Sequence, residues 1–395
     1  MTQDIPHSLR MIDPMILTDV VRQKQHSSTF AITEWDVAPL AHHTIIDTTG
    51  GLYCFTGCGW DEQGERTWSV VLKLVNNPGH ENAQNPRNWA YWKREQLAFQ
   101  SGLLPNLHGP LVAPRCYGIC EHDDDAWIWM EHIVETVPRR WTIEEYTRAA
   151  HHFGIFQAAY LVGAGYNDEP WLTDGFFRSV YAPNDWWTPH MDPAQPGNAW
   201  ENPVTQLWYP ADRKARTLRL LEQRETFLAI LDRLPQVLCH NDAHRRNLLL
   251  RKQPDGQYQT VALDWAFAGR GALGADTSEL VMTSMFFLEH DPAQLAALAT
   301  SVLDGYVAGL RDAGWDGDVR LVRLGYLASV ALGFAISMPG WTGFMLGDEQ
   351  RANTTQQFGR SADEIARAWV LLWEYAHTCA DQARILIQEL GFSPA

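Results

Sequence analysis

The sequence predicts a two-part α+β protein, in which a strand-rich first third precedes a larger, helix-rich remainder. Strand-like stretches occupy much of the chain before residue 134. Segments with helical periodicity and recognisable caps dominate after residue 142. A single β-loop-β segment, from Val237 to Asp264, interrupts the helical part. Together these observations predict two lobes, with the polar loop of that segment inside the second one.

Composition and charge limit the classes of function. The chain has 395 residues, 46% hydrophobic and 20% charged, which is typical of a globular protein of about two domains. Its net charge of -16 and pI near 5.3 argue against a nucleic-acid or anionic-membrane partner, because phosphate binding needs clustered Lys and Arg. The same charge is compatible with a cationic substrate. The N-terminus lacks a basic, apolar signal, and the most apolar run, Leu324 to Met338, is too short to span a bilayer, so we expect a cytoplasmic protein.

The first lobe is predicted to combine several strands with short helices. We expect helices over 14–24 and 88–101, and strands over 31–40, 51–58, 68–75, 113–119 and 126–133. The six cysteines are too few and too scattered for a disulfide scaffold. Four of them form two pairs with four-residue spacing, which fits small buried thiols in strands, the interpretation we favour, or a four-thiolate zinc site: Cys54, Cys58, Cys116 and Cys120.

Two features of this lobe indicate chemistry. Lys73 lies inside an apolar strand, where an ammonium is costly unless it is paired. Thr49 precedes the glycine pair Gly50-Gly51 in the segment 45–51, and paired glycines either let backbone N–H groups approach phosphates or simply make a turn. The chain has no Gly-x4-Gly-Lys-Ser/Thr element, which removes the ordinary P-loop.

The segment from Val237 to Asp264 gathers oxygen-bearing side chains. An apolar strand leads into a polar loop containing Asp242 and Asn247, and the arms 248–250 and 261–263 then form a hairpin that brings Asp264 back beside the loop. Phosphoryl transfer needs a carboxylate to take or orient the proton of an attacking hydroxyl, and hard oxygen ligands for Mg²⁺. The three side chains are candidates for these tasks, although the pattern can also arise by chance in a polar turn.

The spacing of His240, Asp242 and Asn247 resembles the protein-kinase catalytic loop, and Asp264-Trp265 resembles the aminoglycoside phosphotransferase branch of small-molecule kinases. The resemblance covers about residues 30–390 in element order. It implies a bilobal, protein-kinase-like α+β fold. A small antiparallel β-sheet lobe with one helix, residues 1–133, would bind the nucleotide. A mostly helical lobe, residues 134–395, would hold the catalytic and acceptor sites.

The resemblance also implies roles for single residues. Asp242 would be the base, Asn247 and Asp264 the Mg²⁺ ligands, and His240 a brace for the loop. His244 would supply positive charge near the γ-phosphate, unless it faces solvent, and the same alternatives apply to the next two residues, Arg245 and Arg246. Seven residues would bind ATP. Thr49, Gly50 and Gly51 would lie over the phosphates. Lys73 would bind the phosphates and pair with Glu95, and the backbone of Glu131 and Ile133 would hydrogen-bond adenine.

The second lobe is predicted to be mostly helical. Thr142 and Glu145 form a capping box before a helix to about residue 162, and further helices are expected over 212–234, 280–290, 292–311, 319–338 and 347–377. Asp276, with Glu279 three residues later, has the pattern of a helix N-cap, and the resemblance implies that it steadies the catalytic loop. Residues 165–210 mix tryptophans with acidic residues, which fits either an amine-binding acceptor surface or the packing of a loop-rich insertion. Trp341 and Glu349 are further candidates to border the acceptor.

The function implied is ATP- and Mg²⁺-dependent transfer of the γ-phosphate to a hydroxyl of a small molecule. An aminoglycoside, an aminosugar or another amine-bearing acceptor is favoured weakly by the acidic residues, and choline, a sugar or homoserine are alternatives. A hypothesis of another class is a nucleotide-binding regulatory protein without turnover. The complete set of Asp242, Asn247 and Asp264 argues against it.

Overall fold

The first lobe is built on a five-stranded antiparallel sheet, as predicted. The structure, a computed structural model, describes residues 5–40, 48–163, 168–182 and 187–392. The strand order is β1-β2-β3-β6-β5, and β4 leaves the sheet to pair in parallel with a strand of the second lobe. The strands of this lobe are β1 Ala31–Pro39, β2 Thr49–Asp61, β3 Gly64–Asn76, β4 Leu111–Val112, β5 Cys116–Glu121 and β6 Asp125–Glu131.

Alternation along β3 decides which side chains face the second lobe. Val70 and Leu72 belong to the outer apolar cluster beneath a helix, whereas Val71 and Val75 belong to the cluster shared with the second lobe. Because successive strand residues point to opposite faces, Lys73 lies on the same face as Val71 and Val75. The predicted lysine therefore faces the cleft between the lobes. The helices of this lobe are α1 His7–Arg10, α2 Pro14–Gln25, α3 Glu81–Gln84 and α4 Arg94–Gln100.

The predicted helix over 88–101 is wrong at its start, since α4 begins only at Arg94. The residues before it form turns. The carbonyls of Pro86, Asn88 and Trp89 accept hydrogen bonds from the Arg94 guanidinium instead of from backbone N–H groups of a helix. A side chain a few residues further along the chain thus competes with helix formation here.

The zinc interpretation of the cysteines is wrong. Cys54 and Cys58 lie on β2, and Cys116 and Cys120 lie on β5. Strands β3 and β6 separate β2 from β5, a distance of roughly 14 Å at about 4.8 Å per strand. All six cysteines are free thiols. The four in question lie in strands, as the favoured interpretation predicted, but only Cys54 is buried, whereas Cys58, Cys116 and Cys120 are partly exposed.

The second lobe is mostly helical, with two small sheets that carry the polar loop. One has the order β4-β10-β9 and contains the predicted hairpin, and the other has the order β7-β11-β8. Its strands are β7 Thr173–Asp174, β8 Gln236–Cys239, β9 Leu248–Lys252, β10 Tyr258–Ala262 and β11 Gly269–Ala272. Its helices are α5 Ile143–Val162, α6 Phe176–Val180, α7 Trp187–Met191, α8 Pro203–Trp208, α9 Ala211–Glu222, α10 Arg224–Arg233, α11 Ala275–Ser278, α12 Ser284–Phe286, α13 Leu295–Asp312, α14 Val319–Val330, α15 Met338–Leu346, α16 Arg351–Phe358 and α17 Ala362–Glu389.

The capping box at Thr142 is confirmed, but two other predicted helices are each interrupted by a break. The predicted helix over 212–234 is broken at Gln223 into α9 and α10. The predicted helix over 347–377 is wrong, because Gly359, with a φ of 60°, ends α16 and a capping box at Ser361 starts α17. The glycine and the capping box are both visible in the sequence. They interrupt the helix although the apolar periodicity continues across them.

Two helical stretches, Pro292–Asp312 and Val319–Ile336, are long and apolar enough to cross a membrane by length and composition alone. Core helices pass the same test, and 72% of the second stretch is buried inside the protein.

Helices α5 and α13 pack backbone to backbone through glycines. A Cβ added at Gly309 would overlap the carbonyl oxygen of His151, and one added at Gly154 would overlap the carbonyl oxygen of Tyr306. This contact fixes α5, whose far end supports the polar loop, as described below.

We therefore expect Gly309→Ala to lower the free energy of unfolding by about 1–3 kcal/mol, despite the better helix propensity of alanine, because the two backbones must separate. Urea unfolding measures this. Ala308→Ser, at an exposed position of the same helix, is the matched control and should change stability by less than about 0.5 kcal/mol. Equal stability of both variants would contradict the close packing.

Candidate active site

A cavity of about 1280 Å³ separates the two lobes and brings most of the predicted site residues together. The residues that line it include Thr49, Lys73, Glu95, Glu131, Ile133, Asp242, His244, Asn247 and Asp264. A second cavity, of about 1120 Å³, lies between α2, β5 and the β9–β10 hairpin, and Glu131 alone of the predicted residues borders it. The predicted site residues therefore converge on the cavity between the lobes.

Lys73 joins the lobes through two carboxylates. Its Nζ donates to Glu95 Oε2 on α4 at 2.5 Å and to Asp264 Oδ1, in the loop after β10, at 2.8 Å. The predicted pairing with Glu95 is confirmed. Glu81, another glutamate between β3 and α4, is exposed on α3. Burial alone would lower the pKa of Lys73, but the carboxylates of Asp264 and Glu95 outweigh burial and raise it. The ammonium is therefore charged at neutral pH.

Asp264 has an unusual backbone conformation, with φ of 58°, which Asp tolerates better than most residues. Burial alone would raise its pKa, but the Lys73 ammonium lowers it more, so the carboxylate is ionised. A positive φ at a non-glycine residue is costly and persists where the surroundings enforce it. Here the ion pair with Lys73 and the short loop after β10 fix the side chain in the cavity.

The polar loop holds Asp242 and Asn247 side by side. Asn247 Nδ2 donates to Asp242 Oδ2 at 2.7 Å and to the Asp242 carbonyl oxygen at 3.1 Å. The backbone of Asn247 also meets the hairpin, since Leu263 N donates to its carbonyl oxygen at 2.8 Å. The hairpin therefore places Asp264 next to the loop, as the sequence predicted.

A buried carboxylate, Asp276, holds the start of this loop. It accepts hydrogen bonds from the backbone N–H groups of His240 (2.9 Å) and Asn241 (2.8 Å) and from Gln157 Nε2 on α5 (2.8 Å). The N-cap prediction for Asp276 is wrong, because Gly274 caps α11 and the carboxylate turns to the loop instead. Its predicted contact with the catalytic loop is present. Gln157, which the sequence suggested only as a buried helix residue, is a missed member of this network.

His240 braces the loop as predicted. Its Nε2 bonds the carbonyl oxygen of Leu263 at 2.8 Å, and its ring packs on Trp265 with centroids 4.6 Å apart. Burial lowers the pKa of His240, which favours the neutral ring. The contact links the polar loop to the residue before Asp264.

His244 and the two arginines after it are all engaged with protein groups. His244 Nδ1 accepts from the N–H of Arg246 at 3.2 Å, and its Nε2 lies 3.4 Å from Asp242 Oδ1. Arg245 is buried and pairs with Glu135 at 2.7 Å, and Arg246 pairs with Glu289 at 2.8 Å. None of the three simply faces solvent.

The predicted hinge residues Glu131 and Ile133 line the cavity, as does Thr49, but Gly50 and Gly51 do not. Glu131 N donates to the carbonyl oxygen of Arg115 at 2.8 Å, so an adenine contact from this residue would use its own carbonyl oxygen. Gly50 and Gly51 lie in β2 at a register shift, and a side chain on Gly51 would overlap Tyr53. The strand itself thus accounts for Gly51, and residues 45–47 of the predicted segment lie outside the described residues. The nucleotide roles of these residues stay predictions.

Family comparison agrees with the geometry. The sequence profile of the APH phosphotransferase enzyme family matches residues 62–313, a range that includes Lys73 and the entire polar loop. The chain belongs to this family. A comparison with curated protein sequences finds no match.

Solved structures with similar folds include three small-molecule kinases. Amicoumacin kinase hAmiN with AMP-PNP, Ca²⁺ and Ami is 11% identical, with a TM-score of 0.47, covering 92% of this chain and 96% of its own. The GDP complex of aminoglycoside 2'-phosphotransferase-IIIa is 12% identical, with a TM-score of 0.47 and coverage of 90% and 99%. Choline kinase LicA from Streptococcus pneumoniae is 10% identical, with a TM-score of 0.41 and coverage of 87% and 99%.

The tryptophans in the insertion of this phosphotransferase lie in two kinds of environment. Trp200 is buried and donates to the carbonyl oxygen of Met191, whereas Trp187 lines the cavity. Two of its acidic residues are paired away from the cavity, Asp168 with Arg87 and Asp174 with Arg270. Packing thus accounts for Trp200, and a ligand contact of Trp187 stays a prediction. Asp185 and Trp186 lie outside the described residues.

Arg94 is a site-supporting residue that the sequence reasoning missed. Its side chain is buried and donates to five backbone carbonyls. One belongs to Ala266, two residues after Asp264, and another to Trp171 in the insertion. The position follows directly before Glu95 on α4, so one guanidinium connects the helix, the Asp264 loop and the insertion. An arginine beside Glu95 looks like an ordinary solvated helix residue in the sequence.

We expect Arg94→Lys to lower the free energy of unfolding by about 3 kcal/mol, because a lysine ammonium cannot reach all of these carbonyls and some stay buried without a donor. Urea unfolding measures the loss. Arg148→Lys, which alters an exposed ion pair with Glu144, is the matched control and should cost less than about 1 kcal/mol. A variant at position 94 as stable as that control would show that the guanidinium is dispensable.

Proposed function

We propose that this protein transfers the γ-phosphoryl group of ATP to a hydroxyl group of a small molecule, with Mg²⁺ as the required metal. The observation that carries the proposal is the meeting, in one cavity, of the Asp242–Asn247 pair with the Lys73–Asp264 pair. Phosphoryl transfer is catalysed mainly by positioning and charge neutralisation, which this set can supply.

Asp242 is assigned the role of base. In the reaction a P–O bond to ADP breaks, the acceptor oxygen bonds to phosphorus, and the hydroxyl proton passes to Asp242. The carboxylate is oriented by the Asn247 amide at 2.7 Å. His244 also contributes, since its Nδ1 accepts from Arg246 N and its Nε2 can therefore carry the proton that faces Asp242. We assign His244 a positioning role in place of the cationic role expected from the sequence.

Lys73 is assigned to the phosphates of the nucleotide. It is charged, fixed by two carboxylates and placed on the cleft face of β3. The purine would occupy the cavity end lined by Val71, Met130 and Ile133. These apolar walls fit a flat ring, and the backbone of residues 131–133 would meet its edge.

The donor set near Asp242 fits Mg²⁺. Within the described ranges, no three His, Cys, Asp or Glu side chains converge closely enough to hold a metal. Asn247 and Asp264, however, line the same cavity and offer an amide oxygen and a carboxylate. Mg²⁺ accepts such hard ligands with phosphate and water completing its shell. When bound there, the ion would neutralise charge on the phosphates.

We expect Asp242→Ala to lower kcat by about 10²–10⁴-fold, because the acceptor hydroxyl loses its base. ATP affinity should change by less than about threefold, since Asp242 does not contact Lys73. Coupled detection of ADP and calorimetric titration of ATP measure the two quantities. Asp255→Ala, in the hairpin turn between β9 and β10, is the control and should leave both unchanged. Full activity of the Asp242 variant would remove the base assignment.

We expect Lys73→Ala to weaken binding of ATP with Mg²⁺ by about tenfold or more, because the phosphates lose an ammonium and face two uncompensated carboxylates. Lys252→Ala, on an exposed strand end, is the control for a general loss of positive charge. Calorimetric titration at a temperature where circular dichroism shows both variants folded gives the comparison. Unchanged affinity would place the phosphates elsewhere.

A further inference from the structure

Part of the wall of the cavity that contains Asp242 is made of aromatic side chains. Trp187 and Trp341 stack there, with centroids 5.0 Å apart and planes at 27°. Phe176 packs on Phe267 at 5.5 Å and on Phe177 at 5.4 Å. These rings come from α6, α7, α15 and the loop after Asp264, so four separate segments converge on one apolar surface.

Most of these rings are only partly buried. Phe176, Phe177, Phe267 and Trp341 each keep intermediate exposure, although Trp187 is buried. Apolar surface left open to water inside a cavity is a typical property of ligand sites, because covering it releases hydration water. The amount of aromatic surface predicts a ligand with a ring of its own.

Charges in the cavity are already largely balanced. Of seven described acidic side chains that line it, five form ion pairs with Lys or Arg. The paired residues are Glu95, Glu131, Glu135, Asp264 and Glu289. Asp242 is held by Asn247 and His244. Glu279 alone of the seven has a neutral hydroxyl, Thr283 Oγ1 at 2.5 Å, as its hydrogen-bond partner.

Glu279 lines the same cavity as Asp242 and His244 and is close enough for their charges to act on it. Burial raises its pKa to about 7, the neighbouring charges of Asp242 and Asp276 also raise it, and Thr283 and His244 oppose them. The carboxyl group can therefore ionise when a cation arrives. Glu279 begins a π-helical segment, Glu279–Thr283, and a second one, Ala331–Ile336, brings Gly333 and Phe334 to the same cavity. Such segments are frequent at functional sites.

We propose that the acceptor is a largely apolar alcohol with an aromatic or fused ring and a single basic amine, which pairs with Glu279 while the ring contacts Trp341 and Phe176. The proposal rests on the proposed function for the hydroxyl transfer. A molecule with several ammonium groups fits poorly, because each needs its own carboxylate and the described wall offers one besides the base. The acceptor is thus unlike an aminoglycoside in its charge.

Binding without chemistry tests this class. Calorimetric titration with AMP-PNP and Mg²⁺ present compares propranolol, a naphthyl alcohol with one amine, with its neutral glycol analogue, 3-(1-naphthyloxy)propane-1,2-diol, and with kanamycin. We expect propranolol to bind about tenfold tighter than the glycol and than kanamycin. Kanamycin binding as tightly as propranolol, or failure of both naphthyl compounds to bind, overturns the proposal.

Two variants assign the contacts. Glu279→Gln should remove the preference for the amine and leave the glycol's affinity within about threefold. Glu349, which was predicted to border the acceptor, is exposed and does not line the cavity, so Glu349→Gln is the control and should change neither. Trp341→Ala should weaken both naphthyl compounds about tenfold without changing AMP-PNP affinity. An amine preference that survives Glu279→Gln overturns the assignment of Glu279. Binding in the expected order without phosphorylation of any alcohol counts against the proposed function and leaves the binding class standing.

Discussion

One buried ammonium, that of Lys73, connects the two lobes. It bonds Glu95 in the first lobe and Asp264 in the second, so the buried Glu95 carboxylate has a compensating charge and the Asp264 carboxylate is held in the cleft. The arrangement depends on the register of β3, since a shift by one residue would turn the lysine to the outer apolar cluster. It depends equally on where α4 starts and on the loop after β10. The geometry of the cleft therefore depends on the packing of the first lobe.

Two other buried charges fix the backbone around that cluster. Asp276 accepts from the N–H groups of two loop residues, and Arg94 donates to five carbonyls. The loops they hold contain Asn241 and Asp264, both with positive φ. Such conformations persist only where surrounding contacts enforce them. The charged side chains thus fix the backbone conformation of these loops. That conformation in turn sets the direction in which the site carboxylates point.

Local pattern was enough to predict part of this arrangement. The apolar run around Lys73 identified it as a residue needing a partner, and the hairpin predicted that Asp264 returns to the polar loop. The extent of α4 and the role of Arg94 could not be predicted, because the carbonyls concerned lie as far away in sequence as Ala266. Asp276 was predicted to cap a helix from local spacing alone, whereas its contacts are with residues 35 and 36 positions earlier. Hydrogen bonds from a side chain to distant backbone groups produce no periodic pattern in the sequence.

Whole-chain charge is a poor guide to the acceptor for a related reason. The net charge of -16 suggested an affinity for cations, yet the cavity's carboxylates are mostly neutralised by Lys73 and by arginines from neighbouring elements. What a ligand meets is the charge left after internal pairing, not the sum over the sequence. The carboxyl group of Glu279, whose hydrogen-bond partner is the neutral hydroxyl of Thr283, lines the same cavity as the aromatic rings. Because an ammonium in such surroundings needs a carboxylate partner, the number of carboxylates without an internal cation limits the number of amines that the acceptor can carry.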